Sequence, residues 1–463
     1  MVGRKFTLGM GMVVAAAATV ALFPATNAVA DYAPTSNDVV GVGSDTLQQL
    51  GDFVADGDFT GNPGYNSAGN KNKFISIDAT ADANTRLSYG VQGVGGAYNA
   101  TTNTGGCAPG TGGTKGSGNQ NVNHTDTPCV QNPSIVLRAK KSPVQRPNGS
   151  GAGFNLLVQD TNTSTGLGKG WVDFARASSP RTPGGTTYDS VTVGVDKLAM
   201  LSSDTTTTNA AALTLSQITS IYNCSVTHWN ELGGSFTSTD SIVPLVPQVG
   251  SGTRSSFLGA ISVGTPGPCV QNVEENDPEA IQAAQYITYT GTSGSVTQAG
   301  AKGAMDNAIE PMSQGRLNLF QGKLSDGTGN GVGGYFKDPS CPFAPAISTA
   351  NAPQCTTGAT LAPNVTFWSA GWNTDRNLYI YFRHQDFLGS KKFQPGGSLN
   401  WIRTMLYNPC PNPGVGDPTC TVDPVSGREY GPGGAPWIAS GAGQANISAS
   451  GIVPAYAFTP GGA

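Results

Sequence analysis

The sequence predicts an α/β fold, and three observations predict it. A short apolar, β-rich run leads into a Gly/Ser/Thr turn and then into helical spacing at three separate places, over residues 38–54, 134–158 and 242–259. Strand, turn and helix in that order is the opening unit of an α/β domain. The chain has 463 residues, long enough for two or three domains that each bury a core.

The elements follow in order. Arg4-Lys5 precede an uncharged run, Leu8 through Leu22, that ends at Ala28-Val29-Ala30. This reads as a secretory signal over 1–30 with the mature chain beginning near Asp31. No cysteine stands near that point to carry a lipid, and no later segment approaches the roughly 20 apolar residues that span a bilayer. The expectation is a secreted, extracellular protein without a transmembrane helix in its mature part. Charged residues are 12% of the chain, about half the usual share of roughly 25%. The net charge of −4 becomes more negative by two once Arg4 and Lys5 are removed. A nucleic-acid surface needs a basic patch, and the sequence has none.

Asp38 to Thr46 reads as a buried strand ending in a polar turn, followed by a helix over Leu47 to Val54. Residues 57–134 are rich in Gly, Asn and Thr, hold one strand candidate at Phe74-Ile75-Ser76-Ile77, and look like an insertion. Ser134 to Arg138 resumes strand character before the turn Gly149-Ser150-Gly151-Ala152-Gly153 and a helix from Phe154. Val172 to Pro180 is a strand running into a polar turn, Val191 to Leu201 a strand, and Leu213 to Tyr222 a helix. Helices are also expected over 278–286, 301–309 and 399–407, and a strand over 377–382. The eight cysteines fall into neighbouring pairs: Cys107 with Cys129, Cys224 with Cys269, Cys341 with Cys355, and Cys410 with Cys420. In an exported chain they read as local disulfides. No C-x-x-C occurs and the three histidines are scattered, so no metal site or cofactor is expected.

The three turns, Gly43-Ser44-Asp45-Thr46, Gly149 to Gly153 and Gly250-Ser251-Gly252-Thr253, share one composition. Each can aim backbone N–H groups and a hydroxyl at one spot where a helix begins, and the partial positive charge there favours an anion. A single such turn is most often an ordinary helix cap. Three, each after a strand, point to an oxyanion site.

With these turns goes a longer block, Leu213-Thr214-Leu215-Ser216-Gln217-Ile218-Thr219-Ser220-Ile221-Tyr222-Asn223 followed by Thr227-His228-Trp229-Asn230-Glu231-Leu232. Together with Gly250 to Phe257, Val172 to Pro180 and Ala308 to Met312, and in the same order, it resembles the phosphate-binding proteins of bacterial ABC importers. The resemblance covers most of residues 35–385. It implies a two-lobed type II periplasmic-binding-protein fold, with central mixed sheets flanked by helices. Lobe 1 would comprise 31–195 plus 365–463, with the 57–134 insertion, and lobe 2 residues 196–364. It further implies a monomeric solute-binding protein, not an enzyme, that takes inorganic phosphate or a similar oxyanion and works with an ABC permease. The ligand-binding residues it points to are Ser44, Asp45, Thr46, Ser150, Gly151, Ser179, Ser251, Gly252, Thr253 and Arg254.

Two departures stand out. Where the family has an arginine shortly before the third turn, this chain has Pro247-Gln248-Val249, and Arg254 is the nearest replacement. Where the family has an aspartate that accepts the proton of hydrogen phosphate, this chain has Ala177-Ser178-Ser179-Pro180, with Asp45 or Asp173 as alternative carboxylates and Arg176 and Arg181 alongside. No G-x-S-x-G elbow, H-E-x-x-H helix or phosphate loop with its lysine is present. A secreted phosphoester hydrolase and an extracellular protein that keeps the fold without the ligand remain the alternatives.

Overall fold

The runs that the sequence marks as apolar and β-branched form strands covered on both faces, as parallel pairing with crossover helices requires. The structure is a computed structural model that describes residues 34–79, 134–181, 188–202, 213–273, 275, 284–329, 375–387, 399–422 and 429–459 with short gaps, and the ladder Gln92–Gly93/Gly96–Ala97. The signal segment, most of the 57–134 insertion and most of the helix expected over 278–286 lie outside the described residues. So do two of the four expected disulfides, the one between Cys107 and Cys129 and the one between Cys341 and Cys355. The other two, Cys224–Cys269 and Cys410–Cys420, are formed as the neighbouring spacing predicts.

Among the described residues, nine strands form one mixed sheet. They are β1 (Val39–Gly43), β2 (Phe74–Ser76), β3 (Phe174–Ala177), β4 (Tyr188–Ser202), β5 (Val243–Pro247), β6 (Gln271–Val273), β7 (Ala308–Ser313), β8 (Asp375–Arg383) and β9 (Val453–Thr459). Their order is β6-β5-β7-β4-β8-β3-β1-β2, with β9 also paired to β4. The helices α1 (Gln48–Asp56), α2 (Gly149–Gln159), α3 (Leu215–Tyr222), α4 (Gly252–Ala260), α5 (Gln314–Phe320), α6 (Ile402–Met405) and α7 (Gly441–Ala449) pack around it. Among the described residues, no helix is long and apolar enough to cross a membrane.

The fifteen-residue strand β4 organises the sheet. Its first part, up to Lys197, pairs antiparallel with β8, and its last part, Leu198–Ser202, pairs antiparallel with β7. Val191 and Val193 accordingly belong to one apolar core with Val39, Leu50, Phe174, Ile380, Phe382 and Ile447. Leu198 and Met200 belong to another, with Ile218, Trp229, Val246 and Phe257. Between the two lies Asp196, whose carboxylate accepts from Arg376 Nε at 3.0 Å and Nη2 at 2.7 Å.

Most sequence expectations map onto these elements within a few residues. The helix expected over 301–309 is a correction. Only Met305–Asn307 form a 3-10 turn there, and Ala308 already starts β7. The strand from Ala308 is buried on both faces and hydrogen-bonded between β4 and β5, so sheet pairing takes the last two residues of the expected helix. Pairing with β5 covers only Ala308 and Ile309, so Pro311, which has no N–H to donate, stands where that side needs none.

Candidate functional site

The three Gly/Ser/Thr turns meet. The first follows β1 and starts the 3-10 turn Asp45–Leu47, the second starts α2, and the third lies between β5 and α4. Gly151 N–H donates to Gly250 O at 2.9 Å, and Gln248 Nε2 donates to Asn148 Oδ1 at 3.1 Å, so the second and third turns are tied directly. Gly43 forms a parallel bridge to Asn148, which brings in the first. Glycine is required where they touch: a Cβ on Gly252 would lie 2.1 Å from Ser178 Oγ and 2.4 Å from Ser150 Oγ.

The side chains at this junction form a buried chain of hydroxyls. Ser44 Oγ donates to Ser178 Oγ at 3.0 Å, Ser150 Oγ lies 3.2 Å from Ser178 Oγ, and Ser178 N–H donates to Ser150 Oγ at 2.9 Å. Thr46 Oγ1 and Thr253 Oγ1 are 3.3 Å apart. All of these residues are at most 2% exposed.

At the centre stands a residue that the motifs do not name. Glu275 is fully buried, and its Oε1 accepts from Thr253 Oγ1 at 2.8 Å, Thr46 Oγ1 at 3.0 Å, Thr253 N–H at 3.3 Å and Ser178 Oγ at 3.5 Å. Its Oε2 meets no hydrogen-bond partner among the described residues. Burial pushes the Glu275 carboxyl above the usual glutamate range, and the nearby charge of Asp45 adds to this. The Arg376 guanidinium and the two threonine hydroxyls act in the opposite direction. Arg376 also reaches Thr46 Oγ1 at 3.4 Å, while its Nη1 is buried without a partner among the described residues. Arg181 is close enough for its charge and that of Glu275 to be felt mutually, and its Nε and Nη2 are likewise unpartnered.

The expected site residues divide accordingly. Ser44, Thr46, Ser150, Gly252 and Thr253 converge, and Asp45 lies at the edge of the same cluster. Gly151 acts through its backbone bond to Gly250. Ser251 Oγ accepts from Arg254 N–H at 3.0 Å and so caps α4. Ser179 is buried beside the cluster with its hydroxyl unpartnered, and the neighbouring Ser178 makes the contacts. Arg254 is directed elsewhere, to Pro247 O at 2.8 Å and Asn272 Oδ1 at 2.7 Å. Asp173 pairs with Arg138 and accepts from Val40 N–H, a structural role in the sheet. Arg176 reaches Ser76 and Ile77 O and points away from the hydroxyls.

Ser178, Glu275 and Arg376 are the residues that motif reading misses. One signal for Glu275 lies in the topology: β5, α4 and β6 form a parallel crossover, which sets the end of β6 beside the end of β5 and hence beside the third turn. The long block that contributes to the family resemblance turns out to be scaffold. Thr214 caps α3 in a capping box with Gln217, Tyr222 Oη donates to Leu245 O at 2.8 Å, and the fully buried Trp229 donates from Nε1 to Asn307 Oδ1 at 2.9 Å.

The profile of the PBP superfamily domain matches residues 131–332. A search of curated proteins finds no match. Among solved structures, an ABC-type phosphate transport receptor from Vibrio cholerae is 17% identical and covers 51% of this chain and 72% of its own, with a TM-score of 0.29. A putative phosphate ABC transporter substrate-binding protein with bound phosphate, from Clostridium perfringens, is 14% identical over 66% and 85%, at 0.32. A phosphate-binding protein from Stenotrophomonas maltophilia is 15% identical over 71% and 86%, also at 0.32. Residues 131–332, a span that holds the second and third turns and Glu275, match the PBP superfamily domain, and the chain has the mixed α/β architecture of a type II periplasmic-binding-protein fold.

Proposed function

We propose that this protein is an exported solute-binding protein that captures phosphate or a related oxyanion at the junction of the three turns. The carrying observation is that hydroxyls and an amide from separate turns already converge on a single carboxylate oxygen, that of Glu275. A buried anion is held there by neutral dipoles, which is the chemistry that retains a desolvated oxyanion without a full counter-charge. Arg376 supplies a cation next to that point, the place that Arg254 does not fill.

In this reading residues 31–195 with 365–463 form one lobe and 196–364 the other. β4 crosses between them at Asp196, where Arg376 at the start of β8 pairs with it, and the lobes close by hinge motion. The protein acts as a monomer after cleavage near Ala30 and delivers its cargo to an ABC permease. Isothermal titration of the mature protein with phosphate, sulfate, arsenate and organophosphates tests the reading directly. Binding of at least one is expected, and silence toward all of them would overturn it. Thr46→Ala and Thr253→Ala each remove one hydroxyl from the cluster. Each is expected to weaken binding by about tenfold or more, the worth of a charge-assisted hydrogen bond of about 1.5–3 kcal/mol, and to shrink the ligand-induced thermal shift accordingly.

A further inference from the structure

Glu275 takes the hydrogen bonds that the proposed site would offer to its ligand. Among the described residues, four donors crowd one carboxylate oxygen and none reaches the other. A carboxylate oxygen has two lone pairs, so this donor set exceeds what Oε1 can use well. It suits an acceptor that spreads several oxygens across the junction. Two anions cannot share the donors: in a fully buried place, with little water to screen them, their repulsion outweighs what the hydroxyls return.

We infer that Glu275 is a tethered internal anion that caps the site, and that an external oxyanion enters only as the Glu275 carboxylate is neutralised by a proton taken from solvent. The inference rests on the binding reading above and adds to it a coupling between capture and proton uptake. The proton balance is one for one. The incoming anion replaces the negative charge, and the carboxyl that results can turn from acceptor to donor toward it.

The groups that face Glu275 agree with this exchange. Asp45, from the first turn, disfavours a second negative charge nearby. Arg376, from β8, favours the ionised form, but its Nε and Nη2 are already engaged by Asp196. Arg181, after β3, adds a partly buried cation. From α4 only the neutral Thr253 contributes, since Arg254 is turned to Asn272. Burial dominates the balance and holds the carboxyl above its ordinary range, so the proton is more readily acquired than on an exposed glutamate.

Sulfate isolates the protein's proton, because it carries none of its own near neutral pH. Calorimetry of the wild-type protein with sulfate and with phosphate, in buffers of low and high ionisation enthalpy between pH 5.5 and 8, is expected to show uptake of about one proton per sulfate at the alkaline end. Sulfate affinity should there fall about tenfold for each pH unit, since each unit reduces the protonated fraction by that factor. Glu275→Gln should bind sulfate at least about tenfold more tightly at pH 8 and lose the pH slope. Wild-type binding without proton uptake, or a variant with unchanged slope, would overturn the inference while leaving the binding reading intact. So would phosphate binding with sulfate ignored, because Glu275 would then be accepting the ligand's own proton. If neither protein binds either anion at any pH, the binding reading itself falls. The wild-type measurement stands alone should the variant fold poorly.

Discussion

Thr253 donates twice to Glu275, through its backbone and through its hydroxyl, and the pair shows how much of the site a single carboxylate governs. Because the folded protein holds this carboxyl above its ordinary range, its contribution to stability is fully present below the unfolded glutamate value. It is lost as pH rises through the elevated one. Glu275→Gln keeps an acceptor oxygen and removes the charge. Its melting temperature should exceed that of the wild type by a few degrees at pH 8, with the gap closing toward pH 5, as followed by circular dichroism. A gap that stays constant with pH would show that the carboxyl does not titrate in this range. At this scale the sequence was readable where chemistry is local. Ser44, Thr46, Ser150 and Thr253 sit in turns whose glycines announce them. Glu275, by contrast, follows Glu274 in a charged stretch and looks like surface until β6 is placed, and Arg376 beside Asp375 reads as an exposed ion pair. Their burial is a product of sheet order, which no window of sequence contains.

Among the elements, the strands β1, β3, β5 and β8 were legible because they are short apolar runs bounded by turn residues, and α3 because Leu213 to Tyr222 has helical spacing, to which the structure adds the Thr214–Gln217 capping box. The strand β7 was legible only through the family likeness of Ala308 to Met312, while the helix expected from the spacing of Ala301 to Ile309 was misjudged, its last two residues being taken by the sheet. The block from Leu213 to Leu232 carries a family likeness for a reason of packing. Trp229 stacks on Phe236 with ring centroids 6.0 Å apart, and Tyr222 meets Phe257 edge-on at 4.7 Å, which fixes α4 and with it the third turn. Trp229→Ala should therefore cost about 3–5 kcal/mol of stability, measured by urea denaturation. A loss below about 1 kcal/mol would mean the cavity collapses and the block is not the anchor of α4. Removing the α3 cap by Thr214→Ala is a smaller perturbation, about 1 kcal/mol.

For the molecule as a whole, the decisive strand is β4, which leaves one set of cores after Val193 and enters another at Leu198. Its length could be read from the run Val191 to Leu201, but its double membership could not, because the sequence shows apolar alternation and not which partner each half finds. The buried Asp196–Arg376 pair fastens this crossing, and Arg376 extends from it to Thr46. Thr46, after β1, and Thr253, after β5, come from opposite ends of that arrangement and stand 3.3 Å apart. That contact has a kinetic consequence. Under the proposed function, the two ends already touching around Glu275 would close the entrance to a dissolved anion, which would then be admitted only by the small fraction of molecules that have swung open. The observed association rate should then climb with phosphate concentration and level off at the opening rate, as read by stopped-flow tryptophan fluorescence. A rate that rises linearly throughout would show the entrance standing open at rest. The same gating would slow departure, so the proposed binding protein would fill slowly and keep its cargo long after the surroundings have been depleted.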